Sequence, residues 1–385
     1  MSPAIHTADT IIIGGGLHGC STAIHLSLAG LNTIILEKDH IGRHASSANA
    51  GGVRRLGRAL PEIPLAEEAL KHWHHIADLV DDDCGFISTD QIKLAENEAE
   101  ILTLQQRSDE LQKLGFLHEE MIDQLQLREL LPAVAPHCKG GMIVRGDGYA
   151  NPSQTVRAFE RKAAALGTRI FEHHPVISLQ RRGSGWQVQT EQSAFEAPVV
   201  VNCAGAWGGQ IATMAGDFAP VEPRALMLMI TERVRPFIRP VVGTQGRALS
   251  FKQFTNGTVL IGGGYQGNAV PQNNLTHLNF KNLATNVASA VAVFPLMAKT
   301  RIVRSWAGIE GVMPDNIPVI GMGSEAGIFH AFGFSAHGFA LAPVVGEIIA
   351  HCITRGSSSL AIDAFDIARF AAGPGRYQAA EKTST

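Results

Sequence analysis

Features that would define whole classes of protein are missing from these 385 residues. The five cysteines are scattered singly, without a Cys-x-x-Cys pair, so neither a disulfide framework nor a cysteine zinc site is expected and a reducing compartment fits best. No lysine or arginine precedes Lys38, and no apolar run reaches about 18 residues, so neither a secretory signal nor a transmembrane segment is predicted. We therefore expect a cytoplasmic protein.

The chain also lacks a large excess of either positive or negative charge. Lysine and arginine total 32 against 35 acidic residues, which gives a formal net charge of −3. Because there is no basic excess and no basic run, the sequence predicts no nucleic-acid partner. Hydrophobic residues make up 45% of the chain and charged residues 17%, which is typical of a large globular protein and excludes a disordered one.

The first forty residues contain a complete strand–turn–helix–strand pattern. The β-branched run at 10–13 predicts a buried strand of a parallel sheet. It leads into Gly-Gly-Gly-Leu-His-Gly at 14–19, a G-x-G-x-x-G pattern, and the apolar spacing that follows predicts a helix ending near Gly30. A second strand is predicted at 33–36, and Glu37 comes directly after it.

This arrangement is the fingerprint of a dinucleotide site. Gly14 permits the tight turn, Gly16 lets the backbone approach a pyrophosphate, and Gly19 allows the helix to pack closely on the strand. The helix N-terminus supplies unpaired N–H groups and a positive dipole end. Glu37 is placed to accept hydrogen bonds from ribose hydroxyls and would repel a 2′-phosphate, so FAD or NAD(H) is favoured over NADP.

Two later regions also have glycine-containing loops of a kind that can contact a ligand. Residues 38–54 are rich in small and hydroxylated side chains and contain a Gly-Gly pair shortly before Arg54. A buried strand predicted at 328–332 runs into a glycine-rich turn at 333–338, which opens a helix. A helix N-terminus directly after such a turn suits an anionic or electron-rich ligand group.

The order of these motifs resembles the FAD-dependent D-amino-acid oxidase superfamily. GGGLHG…E, a serine-rich loop ending in AGG-x-R, VVNCAGAW, MPDNIPVIG and GFSAHGF follow one another between about residue 8 and residue 354. The most similar branches are the glycine oxidases, the sarcosine oxidases and the hydroxyproline or opine dehydrogenases. The resemblance implies an α/β fold with a Rossmann-type FAD-binding domain (1–84, 142–216 and 302–385) and a discontinuous, antiparallel-sheet-rich α+β substrate domain (85–141 and 217–301).

The resemblance also implies the residues that contact FAD. They are Gly14, Gly16, Leu17, His18, Gly19, Glu37 and Lys38 in the first unit, Ser46, Ser47, Ala50, Gly51 and Gly52 in the serine-rich loop, Val176, Gly205 and Trp207, and Gly333, Phe334, Ser335, Ala336, His337, Gly338 and Phe339 in the last turn. The helix after that turn is expected to point at the N1–C2=O edge of the flavin. Sarcosine oxidases attach their flavin covalently to a cysteine shortly before a Pro-Asp motif. No cysteine lies between Cys203 and Cys352 here, the interval that contains Pro314-Asp315, so the resemblance implies that FAD is bound non-covalently.

The chain departs from this family at the substrate anchor. Glycine oxidase-like relatives carry an arginine after Ala-Gly-Leu that grips the substrate carboxylate, and Glu310 occupies that place here. Arg54 is our first alternative anchor for a carboxylate, unless it contacts the cofactor phosphates or solvent. Glu310 could pair with an ammonium or basic group, or be an ordinary loop acid. Lys252, on a hairpin predicted around Asn256-Gly257, and His337 are further candidates for substrate contact, and packing is the alternative for His337.

The resemblance implies oxidation of the C–N bond of an amino acid, imino acid or secondary amine by hydride transfer to flavin N5. The alternatives are a 2-hydroxy acid or polyol oxidoreductase on the same fold, and the flavin subunit of a heteromeric opine- or hydroxyproline-type dehydrogenase.

The electron acceptor is either O2 or a partner protein. Sarcosine oxidases carry a lysine that helps oxygen react, and the corresponding strand here, at 259–261, is apolar. A dehydrogenase is therefore favoured, and the alternative is that Lys252 takes the place of that lysine. The histidines at 72, 74 and 75 lack the further ligands of a metal site, and no metal is predicted.

Overall fold

The computed structural model describes residues 5–371, which form nine α-helices and 23 strands. The helices are α1 (Leu17–Leu28), α2 (Ile63–His74), α3 (Ile76–Val80), α4 (Glu98–Lys113), α5 (Gln124–Leu130), α6 (Pro152–Ala165), α7 (Gly208–Met214), α8 (Phe280–Val293) and α9 (Gly338–Arg355). The strands are β1 (Ile5–Thr7), β2 (Thr10–Ile13), β3 (Thr33–Leu36), β4 (Gly52–Val53), β5 (Ile87–Ser88), β6 (Gln91–Ala95), β7 (Glu120–Ile122), β8 (Gly140–Val144), β9 (Gly148–Tyr149), β10 (Arg169–Phe171), β11 (Val176–Arg182), β12 (Gly185–Thr190), β13 (Ala194–Ala197), β14 (Val199–Asn202), β15 (Glu222–Thr231), β16 (Val241–Thr244), β17 (Ser250–Gln253), β18 (Val259–Gly262), β19 (Asn268–Val270), β20 (Leu275–His277), β21 (Ile302–Val312), β22 (Val319–Met322) and β23 (Ile328–Phe332).

A six-stranded sheet in the order β10-β3-β2-β14-β23-β22 forms one half of the molecule. All neighbouring pairs are parallel except β22 with β23. Strands β2 and β3 are buried along their whole length, as their runs of β-branched and aliphatic residues predict for a sheet covered on both faces. The predicted strand–turn–helix–strand unit is confirmed, because α1 connects β2 to the parallel strand β3.

Different layers cover the two faces of this sheet, as the alternation of side chains along its strands requires. Ile12, Ile35 and Val201 pack against α1, α2, α6 and α9. Their neighbours Ile11 and Val200 pack instead on the four-stranded sheet β1-β13-β12-β11.

The other half of the molecule is built on an eight-stranded sheet in the order β21-β15-β18-β17-β16-β6-β8-β7. Its neighbouring strands are antiparallel except for the parallel pair β16 and β6. Phe251 and Phe294, stacked with ring centroids 4.7 Å apart, lie in the core between this sheet and α8. The hairpin predicted around Asn256-Gly257 is confirmed, because β17 pairs with β18 and Gly257 adopts a φ of +90° in the turn.

The α/β fold class predicted from the sequence is confirmed. Two of the predicted domain boundaries, at 142 and 302, fall inside β8 and at the start of β21, and both strands belong to the eight-stranded sheet. The division into domains stays a prediction, and its terminal parts, 1–4 and 372–385, lie outside the described residues.

Helices α1 and α9 pack closely against each other where α9 has a glycine, Gly346, and therefore presents no side chain to α1. A Cβ on Gly346 of α9 would lie 2.2 Å from Ser21 Oγ and 2.5 Å from the carbonyl carbon of Ser21 in α1. Ser21 Oγ donates a hydrogen bond to Pro343 O at 3.3 Å. The first residues of the two helices, Leu17 and Gly338, both line the cavity described below.

By length and composition alone, α9 could also cross a membrane. It is the one helix in the described range that meets this criterion. Its Val345 and Ile349 are completely buried against α1 and α2, and a core helix has the same apolar composition.

We predict that Gly346→Ala destabilises the chain by about 1–3 kcal/mol, the usual cost of overpacking. The added Cβ must displace Ser21 of α1, and this outweighs the higher helix propensity of alanine. Urea unfolding measures the effect. Arg355→Ala, at an exposed position near the end of α9, is the control and should change stability by less than about 0.5 kcal/mol. A Gly346→Ala protein as stable as the unsubstituted chain would contradict the packing described.

Candidate cofactor and substrate site

A cavity of about 980 Å³ lies between the six-stranded and the eight-stranded sheets. One side is lined by residues that directly follow strands of the six-stranded sheet, namely Gly14, Glu37, Cys203 and Gly333. The other side is lined by residues of β6, β15, β16 and β21. Ligands of open α/β sheets bind at the carboxyl ends of the strands, and the volume is at the upper end of the usual range of about 300–1,000 Å³.

The N-terminus of α1 faces this cavity with unpaired backbone donors. Gly14 adopts a φ of +107°, and a Cβ there would lie 2.4 Å from a carbonyl oxygen after β14, so only glycine fits. A Cβ on Gly19 would lie 2.0 Å from Gly14 O, so the helix also needs glycine where it passes the strand. The N–H of Leu17 donates to Ser46 Oγ at 3.0 Å. Other N–H groups of the first turn stay available to an anionic ligand.

Glu37 is a buried carboxylate held by two backbone donors. Its Oε2 accepts the N–H of Gly15 and its Oε1 accepts the N–H of Asp39, each at 2.8 Å. Burial raises the pKa of this carboxyl, and the two N–H groups act in the opposite direction. Glu37 also lines the cavity, as does Val176, so its remaining lone pairs can accept hydrogen bonds from hydroxyl groups of a ligand.

Lys38 reaches from the loop after β3 to two distant segments. Its Nζ lies 3.1 Å from the centroid of the Trp207 ring and donates a hydrogen bond to Asn274 Oδ1. Burial lowers the pKa of this lysine to about 8. The contact fixes the Trp207 ring in the cavity wall and ties the loop to the β19–β20 hairpin.

The serine-rich loop is shaped by Asn49, which was not predicted as a site residue from the sequence. Its Nδ2 donates to Ala45 O and Ser46 O, both at 2.8 Å, and its Oδ1 accepts the N–H of Gly51 at 2.6 Å. Gly51 adopts a φ of +68°, and a Cβ there would lie 2.1 Å from Ala150 O. These contacts hold the backbone of 45–51 along the cavity wall.

The turn before α9 holds two non-glycine residues in the left-handed region, Ser335 at φ +49° and Ala336 at φ +68°. Such conformations cost about 1–3 kcal/mol each and cluster at ligand sites. Hydrogen bonds maintain them here, because Ser335 Oγ accepts the N–H of Met313 at 3.0 Å and Glu310 Oε1 accepts the N–H of Ala336. Ala336 and Gly338 line the cavity beside this strained turn.

Glu310, on β21, lies in the cavity wall. It forms no ion pair within the described part of the chain, and Arg224, opposite it on β15, donates to Glu222 instead. Burial raises the pKa of Glu310 to about 7, and the N–H of Ala336 opposes this shift. Its carboxyl group is therefore partly protonated near neutral pH.

Two histidines in the cavity wall are neutral at pH 7. His18 stacks on Phe334 with ring centroids 3.6 Å apart, and burial lowers its pKa to about 3. Burial also lowers the pKa of His44 to about 4, and its buried Nε2 has no hydrogen-bond partner among residues 5–371. An unpartnered ring nitrogen in a cavity wall requires a ligand atom or water. With the glycine turn at α1 and the carboxylate of Glu37, this wall fits a large dinucleotide such as FAD.

Most of the predicted site residues line the cavity, including Arg54 and Glu310. The structure places five of them outside its lining: Gly19, Ser47, Lys252, Ser335 and His337. Gly19 and Ser335 shape the wall from behind, through the close approach and the hydrogen bond described above.

Lys252 and His337 were predicted to contact the substrate, and protein partners hold both side chains elsewhere. His337 Nδ1 forms a hydrogen bond with Glu62 Oε2 at 2.8 Å, and burial lowers its pKa to about 4. Lys252 Nζ lies 4.2 Å from the centroid of the Tyr149 ring and donates to Ala50 O, and burial lowers its pKa to about 7. Neither side chain lines the cavity, and the prediction of substrate contact by these two residues stays a prediction.

Gln91 and Lys93 on β6 line the cavity and were missed. The pattern Gln-Ile-Lys-Leu-Ala at 91–95 predicts a strand with one partly polar face. Nothing in the sequence indicates that this face meets the loop containing Arg54.

Among the residues that the structure describes, one group could offer three metal ligands within 4.8 Å of one another: Asp39, His40 and His173. This group was not predicted from the sequence. Asp39 already pairs with Arg43 at 2.8 Å, and both histidines are exposed. His72, one of the three histidines weighed as metal ligands from the sequence, contacts Glu347 at 2.9 Å.

Residues 9–352 match the family model described as FAD dependent oxidoreductase (DAO), so the chain belongs to this family. Mitochondrial sarcosine dehydrogenase of Homo sapiens is 26% identical over 96% of this chain, but the chain spans only about two fifths (42%) of that relative's length. Sarcosine oxidase subunit beta of Rhizobium meliloti (strain 1021) is 26% identical, covering 95% of this chain and 89% of the relative. The crystal structure of L-proline dehydrogenase from P. horikoshii superposes with a TM-score of 0.88 at 25% identity, covering 96% of this chain and 99% of the other.

We predict that Glu37→Gln raises the dissociation constant for FAD by about 10-fold or more. Both carboxylate oxygens accept backbone N–H groups, so glutamine must turn its NH2 group towards one of these donors. Titration of FAD-free protein, followed by flavin fluorescence, measures the affinity. Glu191→Gln, at an exposed turn, is the control and should bind like the unsubstituted chain. Equal affinities for all three proteins would show that Glu37 does not contribute to FAD binding.

We also predict that Glu310→Gln makes stability less dependent on pH. The pKa of Glu310 rises from 4.5 to about 7 on folding, so its contribution to stability is present at low pH and is lost as the pH increases through about 7. The variant lacks this loss, so its Tm relative to the unsubstituted chain should increase from about pH 5 to about pH 8. Thermal unfolding across this range measures the difference, and exposed Glu325→Gln serves as the control. A Tm difference that is constant with pH would contradict the raised pKa.

Proposed function

We propose that this chain is an FAD-dependent oxidoreductase that oxidises the C–N bond of an amino acid, imino acid or secondary amine. One observation carries the proposal: a single continuous cavity joins the glycine turn at α1 to a space under the eight-stranded sheet lined by Arg54 and Glu310. The names of the similar proteins, sarcosine dehydrogenase, sarcosine oxidase and L-proline dehydrogenase, support this class of substrate.

The residues that would hold FAD are distributed along the whole cavity. The turn at 14–16 and the N-terminus of α1 would receive the pyrophosphate, and Glu37 the ribose hydroxyls. When bound, FAD supplies the chemistry of accepting a hydride from the substrate carbon. The positive end of the α9 dipole, at Gly338 in the cavity wall, would stabilise negative charge at that end of the cavity.

The chain's own residues orient the substrate, exclude water from the cavity and accept one proton from the substrate nitrogen. Met227, Leu228 and Ile309 give the cavity apolar walls, which favour a neutral amine over an ammonium group. In the deprotonated state Glu310 can take the proton from the substrate nitrogen onto a carboxylate oxygen, leaving the lone pair that drives hydride departure. Arg54 can bind a substrate carboxylate. The imine product then hydrolyses in water to an oxo-acid or aldehyde.

The cofactor in this proposal is non-covalent. Cys203 is the one cysteine in the described part of the chain that lines the cavity. Burial raises the pKa of its thiol to about 12, so the reactive thiolate is scarce at neutral pH.

A dehydrogenase is favoured over an oxidase. The strand at 259–261 presents no lysine, and Lys252 lies behind Ala50 rather than in the cavity lining. A role as the flavin subunit of a heteromeric enzyme is a second form of the same activity. It is supported by the match to sarcosine oxidase subunit beta over 89% of that subunit's length.

An anaerobic absorbance titration of the purified holoenzyme tests this function. Amines, amino acids and imino acids are compared with hydroxy acids of matched size. The expected result is bleaching of the visible flavin absorbance by at least one nitrogen compound and not by its hydroxy analogue, with slow recovery when air is readmitted. Bleaching by hydroxy acids alone, or by none of the nitrogen compounds, would contradict the proposal.

A further inference from the structure

The wall of the cavity near β6 carries two cations, Arg54 and Lys93, that form no salt bridge with any carboxylate of residues 5–371. Lys93 lines the cavity from β6, and Arg54 lines it from the position directly after β4. The Arg54 guanidinium donates to Leu56 O at 2.7 Å, and neither cation forms an ion pair with any carboxylate in 5–371.

The acids closest to these two cations are already engaged by other groups. Three buried carboxylates act on the charge of Arg54, and each has a closer partner of its own: Asp147 with Arg55 at 3.0 Å, Glu62 with His337 at 2.8 Å, and Glu119 with Arg107 at 2.6 Å. Glu62 also lies 3.8 Å from Arg58. Within the described residues, Arg54 and Lys93 are therefore the cations left over at this wall.

The course of β6 brings the two cations to the same region. Gln91 and Lys93 share one face of the strand because side chains alternate. Gln91 Nε2 donates to Val53 O at 3.2 Å, so this face of β6 is turned towards the residue that precedes Arg54. Burial and the positive charges of Arg54 and Arg107 lower the pKa of Lys93, and the carboxylate of Glu119 acts in the opposite direction. Two desolvated cations facing one cavity are stabilised by a bound anion.

We propose that Lys93 and Arg54 together form an anion subsite that binds a carboxylate of the substrate. The inference rests on the proposed function and narrows it to amines that carry a carboxylate group. The subsite places two cations, from β6 and from the position after β4, on a part of the cavity wall separate from Glu310 on β21. A planar guanidinium beside a point-charge ammonium suits a carboxylate held between them.

Ligand binding without turnover tests the subsite. Isothermal titration calorimetry of the FAD-loaded enzyme compares furan-2-carboxylate with the uncharged furan-2-carboxamide, for the unsubstituted chain and for Lys93→Gln, Lys93→Arg and Arg54→Gln. Lys139→Gln is the matched control, because this exposed lysine lies next to β8 in the same sheet and outside the cavity lining. The FAD content of each variant reports on its folding.

We expect Lys93→Gln and Arg54→Gln each to weaken carboxylate binding by about 10-fold or more, with carboxamide binding changed less than about twofold. Lys93→Arg should retain most of the affinity for the carboxylate, and Lys139→Gln should leave the affinities for both ligands unchanged. The subsite is wrong if Lys93→Gln leaves carboxylate affinity unchanged or weakens both ligands equally, or if the unsubstituted enzyme does not prefer the carboxylate.

The two proposals can fail separately. Lys93-dependent carboxylate binding in an enzyme whose flavin no amine bleaches would support the subsite and contradict the proposed oxidation. Bleaching by amines with no effect of Lys93→Gln on carboxylate binding would support the oxidation and overturn the subsite.

Discussion

The close contact between α1 and α9 is the constraint on which the site depends. Because Gly346 presents no side chain to Ser21, the two helices pack with both N-termini at one cavity, one after β2 and the other after β23. Each N-terminus brings unpaired N–H groups and a positive dipole end. The stack of His18 on Phe334 joins the two turns directly, so the two donor groups are held at a fixed separation. A ligand with electron-rich groups at two points along its length matches this arrangement.

The eight-stranded sheet completes the cavity with side chains of a different kind. It contributes apolar residues such as Met227 and Ile309, together with isolated ionisable groups at Glu310 and Lys93. Behind this wall, buried acids pair with neighbouring cations and hold the backbone around Arg54 in place. The chemistry proposed for the chain therefore depends on where this wall places its charged groups around the cavity.

Some parts of the site could be predicted from the sequence, because several neighbouring sequence features there indicate the same structure. In the unit at 10–37, the β-branched strand, the glycine turn, the helix and the acid all indicate the same structure, and the contacts of Glu37 fit it. The wall at β6 could not be predicted, because strand register rather than local sequence brings Lys93 to the cavity. The directions of the His337 and Lys252 side chains are likewise decided by partners distant in sequence.

A crystal structure of the chain with FAD bound tests the central claim most directly, since it locates both ends of the cofactor at once. The account predicts the pyrophosphate against the N-terminus of α1 at 14–17 and the flavin ring against the turn at 333–338. It also predicts that α1 and α9 keep the contact at Gly346. A cofactor bound outside this cavity, or a flavin ring turned away from the N-terminus of α9, would contradict it.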